Sequence, residues 1–176
     1  MYCFYDKLCK KEAIHISPGE FFVSAKGMLI HSLVGECIVA ILYDPVGRIG
    51  GMNQFLIGKH DQINPLERLV GSMLDLGATK NALQAKLIGG SILIDEKKEY
   101  EGIIGTTITY CKDFLRKANI EIISTNIGGS KARKIYFYTD TFKVLQKMID
   151  YSETPLGAQM NEYKKVFKHK IFFLSK

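Results

Sequence analysis

No apolar run in this sequence is long enough to cross a bilayer. Ile38 to Tyr43 falls far short of the roughly 20 residues a membrane helix needs, and the longer stretch from Met28 is broken by His31, Gly35 and Glu36. Met1 to Glu12 mixes aromatics, cysteines and charges, without the apolar block and small-residue cleavage site of an export signal. A cytoplasmic protein with reduced thiols is expected. None of the four cysteines (Cys3, Cys9, Cys37, Cys111) forms a CxxC pair, and the four histidines (His15, His31, His60, His169) are widely scattered. A zinc site is therefore not expected. Phosphate-loop and dinucleotide fingerprints are missing too, since Gly129-Ser130-Lys131 is too short a match, and no cofactor is expected. No repeat and no Pro/Gly/Ser-rich linker divides the chain.

What remains is an ordinary globular composition, 47% hydrophobic and 24% charged over 176 residues. A chain of this length can bury roughly 70% of its unfolded surface, enough for one real core. The net charge of +6 allows acidic partners of several kinds and selects none. Nucleic-acid binding through the basic tail and Lys131, Arg133 and Lys134 would rest on charge alone, so no specific nucleic-acid partner is expected.

Ser17-Pro18-Gly19-Glu20 is turn chemistry leading into a strand from Phe21 to Ala25, and Met28 to Leu33 reads as a second strand. After the break at Gly35-Glu36, Ile38 to Tyr43 reads as a strand buried on both faces, turning at Asp44-Pro45-Val46-Gly47 onto Ile49 to Ile57. Asn64 is a good N-cap with Pro65 at the first helical position, Glu67 placed for a capping box and Gly77 as terminator. Strands are expected at Leu83 to Ile88 and Ser91 to Ile94. A second helix follows with Ile108, Cys111, Leu115 and Ala118 inward, then strands at Ile120 to Ser124 and Lys134 to Tyr138. Val144 to Ile149 suits strand or helix. The sum is α+β: a single domain of mixed β-sheets packed together and flanked by helices. Its expected parts are a peripheral segment 1–16, a core domain 17–149 and a basic, aromatic tail 150–176. In that tail Lys164, Lys165, Lys168 and Lys170 interleave with Val166, Phe167, Ile171, Phe172 and Phe173. It can pack its aromatics on its own domain with the lysines in water, or dock a partner.

Of the cysteines, Cys37 is the best placed for chemistry. It lies at a loop-to-strand junction where backbone N–H groups can face a substrate carbonyl. The same position also suits a buried structural thiol. Counting outward from the middle of the turn puts Gln54 or Phe55 opposite Cys37, about 5 Å apart at Cβ, so position 54 is expected to touch the thiol.

These residues, in order, resemble the signature of the chemoreceptor glutamine deamidase (CheD) family. The resemblance spans Pro18 to Lys147. It runs through Pro18-Gly19-Glu20, Gly35-Glu36-Cys37 with Ile38-Val39-Ala40, Tyr43-Asp44-Pro45, Gly50-Gly51-Met52-Asn53 and Gly77-Ala78. It continues through Ala85 to Gly90, Ile104-Gly105 and Gly128-Gly129-Ser130-Lys131-Ala132-Arg133. The resemblance implies hydrolysis of glutamine side-chain amides, and of γ-methyl-glutamate esters, on the cytoplasmic helices of methyl-accepting chemotaxis receptors. Cys37 would be the nucleophile, a γ-glutamyl thioester the intermediate, and no metal or cofactor would be needed. The family's partner phosphatase is a second implied partner.

Four positions depart from the family pattern. Its histidine, seventeen residues after the cysteine, falls at Gln54, and its threonine, six residues before, falls at His31. Its serine before the cysteine is Glu36, and its Arg-Asn pair after the Ile-Gly element is Thr107-Ile108. An amide cannot act as a general base. The expected site is therefore Cys37 as nucleophile, Gln54 as a polar contact, and His31 either as a relocated base or as a strand-side histidine simply hydrogen-bonded. Six residues of straight strand span roughly 20 Å, so a base at His31 requires the chain to fold back at Gly35. His60, in Gly58-Lys59-His60-Asp61, is a second candidate base or a solvated loop residue. Glu36 would make thiolate formation at Cys37 harder. The alternative function is a catalytically impaired binding protein that holds a receptor or the partner phosphatase.

Overall fold

The unbroken apolar run after Cys37 forms strand β5 (Ile38–Asp44), buried along its whole length at the centre of a five-stranded sheet. The computed structural model describes residues 1–7, 9–55, 64–93 and 98–153. The strands around β5 are β3 (Phe21–Ser24), β6 (Ile49–Phe55), β7 (Gln84–Gly89) and β8 (Glu121–Ile127), in the order β3-β6-β5-β7-β8. A second sheet, ordered β1-β2-β4-β9-β10, is built from β1 (Tyr2–Asp6), β2 (Lys11–His15), β4 (Leu29–Val34), β9 (Ala132–Tyr138) and β10 (Lys143–Ile149). The helices are α1 (Pro65–Asp75) and α2 (Lys98–Lys117).

Two apolar cores divide along the alternation of β5. Val39, Ile41 and Tyr43 point toward the second sheet and meet Ile30, Val34, Ile135 and Phe137. Ile38, Ala40 and Leu42 point the other way and meet Leu66, Leu69 and Met73 of α1 and Cys111 and Leu115 of α2. The architecture is α+β, as expected, with three layers: sheet, sheet, helices. Among the described residues, no helix is long and apolar enough to cross a membrane.

Asn64 caps α1 through Oδ1, which accepts from Leu66 N at 3.0 Å and Glu67 N at 3.4 Å. Gly77 follows the last turn with φ +93, the left-handed conformation that suits glycine. Val144 to Ile149 is strand, paired along its length with β9. The first sixteen residues, expected to be peripheral, supply two strands of the second sheet, and Ala13 and Ile16 are fully buried. Ser91 to Leu93 is not strand, and Ile94 lies outside the described residues. Gly89 and Gly90 both take positive φ and turn the chain, and the amides of Ser91 and Ile92 bond to Gly35 O and Gly129 O instead of a ladder. The tail from Asn161 and the loop carrying His60 also lie outside the described residues.

The β5–β6 register differs by two residues from the count that puts Gln54 opposite Cys37, and by one from the count that puts Phe55 there. Asp44 pairs with Ile49, so the connection is Pro45 to Arg48. Asp44 stays in the strand because its carboxylate caps the turn, Oδ1 accepting from Val46 N at 2.8 Å and Oδ2 from Thr79 N at 2.7 Å. Gln54 consequently stands opposite Val39. A shift of two preserves the face, so Gln54 still points to the side on which Cys37 packs.

Candidate active site

Gly35, Glu36 and Cys37 carry the chain from β4 in one sheet to β5 in the other. The chain does turn at Gly35, into the other sheet, but this does not bring His31 to the thiol. Carbonyls on both sides of it are tied to the turn after β7, with Gly90 N donating to Cys37 O at 2.8 Å and Ser91 N to Gly35 O at 3.1 Å. Gly89 must be glycine here. A Cβ on it would collide with the Cys37 carbonyl oxygen, and its φ is +120. Gly35 is less constrained, because a Cβ there would stand 2.5 Å from Leu93 Cδ1, the end of a side chain that can move.

Gln54 is 2% exposed and reaches between the sheets. Its Nε2 donates to Leu33 O at 3.0 Å, and its Oε1 meets Ser32 Oγ. Ser32 Oγ also lies 3.0 Å from Ile16 O. One hydroxyl proton cannot serve both acceptors, and turning it to Ile16 would set two bare oxygens against each other, so the proton belongs on the Gln54 side. With Oε1 held this way, Nε2 keeps one N–H beyond its bond to Leu33 O, on the face of the sheet where Cys37 packs. Backbone bonds fix the residue further: Gly19 N donates to Gln54 O at 2.7 Å and Gln54 N to Glu20 O at 3.0 Å. The Pro18-Gly19-Glu20 turn is thus a brace for position 54.

Burial pushes the Cys37 thiol above its ordinary pKa, the Gln54 hydrogen bond pulls it down, and the Glu36 charge pushes it up again. The net direction is upward. Near neutrality Cys37 is therefore a thiol rather than a thiolate.

His31 is not part of this cluster. It neighbours Ser32 on β4, and successive strand side chains face opposite ways. Its ring lies on the outer face of the second sheet, edge-on to Phe4 and beside Tyr136, with Nδ1 2.8 Å from Nδ1 of His15. Burial, then the neighbouring His15 and Lys134, lower its pKa to about 4. The structure brings together Cys37 and Gln54 and leaves His31 on the other side of its strand. It adds Ser32, which the sequence reading passed over. Met28 to Val34 is apolar in both alternation phases (Ile30 and Val34, Leu29 and Leu33), so the inward face was not readable; a small polar residue between Ile30 and Val34 was the available signal. Among the described residues, no group of three or more His, Cys, Asp or Glu side chains is arranged to hold a metal ion.

Comparison with known proteins now bears on the site. A family model described as CheD chemotactic sensory transduction matches residues 64–148. "Probable chemoreceptor glutamine deamidase CheD 2" of Shewanella oneidensis is 30% identical over 90% of this chain and 87% of its own. "Probable chemoreceptor glutamine deamidase CheD" of Thiobacillus denitrificans is 32% identical over 91% of this chain and 81% of its own. The chain belongs to the CheD family. The match to the family model begins after Phe55, whereas the likeness to these CheD relatives extends over nine-tenths of the chain. Within the family frame, the chemistry available here is a half-buried thiol, a buried amide on the same face of the sheet, and a serine that orients the amide.

Proposed function

We propose that this chain deamidates glutamine side chains of chemoreceptors, with Cys37 as nucleophile and Gln54 as the hydrogen-bond donor that steadies its sulfur. The observation that carries this reading is the placement of Cys37 at the crossing between the sheets, packed on the same core that the buried, doubly held Gln54 amide faces. The relatives' names supply the substrate class.

The thiolate forms by loss of its proton to solvent and attacks the carboxamide carbon, making a C–S bond. Collapse of the tetrahedral adduct breaks the C–N bond, and the amide nitrogen takes a proton from solvent to leave as ammonia. Water then hydrolyses the γ-glutamyl thioester, giving glutamate and restoring the thiol. A γ-methyl-glutamate ester follows the same course with methanol leaving. Gln54 cannot take the proton and His31 faces away, so among the described residues neither expected partner is a base, and solvent hydroxide takes the proton in this scheme. The rate should rise about tenfold per pH unit until the raised thiol pKa is passed.

The same observations support a second reading. A thiol held protonated, beside an amide in place of a base, suits a protein that holds a receptor helix without turning it over. Ammonia release and the +1 Da product on a receptor cytoplasmic fragment separate the two, in wild type, Cys37→Ala, His31→Ala and Gln54→His. The enzyme reading expects activity lost in Cys37→Ala and kept in His31→Ala. Wild-type silence, with unchanged fragment affinity in Cys37→Ala and activity gained in Gln54→His, would instead establish the binding protein.

A further inference from the structure

Arg133 is 2% exposed, yet none of its described partners is a carboxylate. Its Nε and Nη2 donate to Asn126 Oδ1 at 3.1 and 2.8 Å, and Nη2 also to Gly128 O at 2.6 Å. Nη1 donates to Ser91 Oγ, with Lys131 O at 3.5 Å. Burying a guanidinium costs several kcal/mol, and neutral acceptors return less than a carboxylate would. What the planar fork gives in exchange is fixed geometry among three segments.

Ser91 is where that geometry is passed on. Fully buried, it spends its one proton on Lys131 O at 2.8 Å and receives the guanidinium on its lone pair. Its rotamer is thereby locked. Its own amide holds Gly35 O, the amide before it holds Cys37 O, and the amide after it holds Gly129 O at 2.8 Å. Arg133 also stands opposite Val34, the last residue of β4 before the crossing. The crossing that carries Cys37 is therefore tied to one buried cation from both sides.

Resting on the reading of Cys37 as nucleophile, we propose that Arg133 is a positioning residue that sets the Cys37 backbone through Ser91, and hence the aim of the thiol at Gln54 and substrate. Misplacing a reacting group by about 1 Å costs about 100-fold in rate with little effect on binding. Ser91→Ala removes the contact with the smallest change to the fold, and Arg133→Lys keeps the charge while losing the fork. Both should lower kcat about 10-fold or more with KM within about twofold.

The deciding readout needs no turnover. Iodoacetamide alkylation of Cys37 is followed against pH by peptide mass, with the exposed Cys3 as internal reference. In both variants the Cys37 midpoint should move by about half a pH unit or more while that of Cys3 stays put. Should Arg133→Lys fail to fold, Ser91→Ala decides. A Cys37 profile identical to wild type in Ser91→Ala overturns the proposal, whatever happens to stability. Activity retained in Cys37→Ala would overturn the nucleophile reading instead, and the alkylation profiles would still report on Arg133.

Discussion

Acid should weaken this fold through His31, and the size of the effect follows from its setting. The ring is 8% exposed, faces the His15 ring on β2, and has Lys134 on β9 and Asp6 on β1 within electrostatic reach. Two Nδ1 atoms at 2.8 Å can share one proton, but two imidazolium rings cannot occupy that arrangement. Its pKa falls to about 4 in the folded protein, against about 6.5 in an unfolded chain. A lowered histidine pKa means that the unfolded state binds the proton first. Stability is whole above about pH 6.5 and is lost as the pH falls toward 4, at up to 1.36 kcal/mol per pH unit and about 3 kcal/mol in all. His15, also lowered by burial, adds in the same direction. Urea unfolding followed by tyrosine fluorescence or circular dichroism at half-unit steps from pH 4 to 8 measures this slope. His31→Phe keeps a ring between Phe4 and Tyr136 and removes the titration. The variant should lose most of the slope between pH 6.5 and 4. An unchanged slope would refute the argument, since the acid sensitivity would then come from elsewhere.

Two further perturbations test the local geometry. Gly89→Ala forces a Cβ into the Cys37 carbonyl at φ +120, so it should cost about 3 kcal/mol or more in urea unfolding; a loss under about 0.5 kcal/mol would mean that the turn after β7 does not pin the crossing. Asn64→Ala removes the side-chain cap of α1 and should cost about 1 kcal/mol by the same measurement, with no effect on Cys37 alkylation.

How much of this could be read from the sequence depends on whether the signal was local. The cap at Asn64, the stop at Gly77 and the double-sided burial of Ile38 to Tyr43 depend on neighbours in sequence, and the structure has all three. The partners of β4 do not. Its parallel pairing with β2 and antiparallel pairing with β9 join segments far apart in the chain, and no periodicity announces them. That is why residues 1–16 read as peripheral, and why the face of His31 stayed open. Ser91 reads as strand because its flanks are apolar. Its role is set by an arginine 42 positions away.

The site turns on a single parity. Position 54 was expected directly opposite Cys37; it stands opposite Val39 instead, displaced by two, and an even displacement keeps it on the face where Cys37 packs. His31 fails by the complementary rule: one step along β4 separates it from Ser32, and one step reverses the face. A base relocated to position 31 would need a bulge in β4 to turn inward. None is present, since Leu29 to Val34 pairs with β9 without a break. The imidazole that this chain lacks at position 54 is therefore not replaced from β4, and the amide there can orient the thiol but cannot deprotonate it.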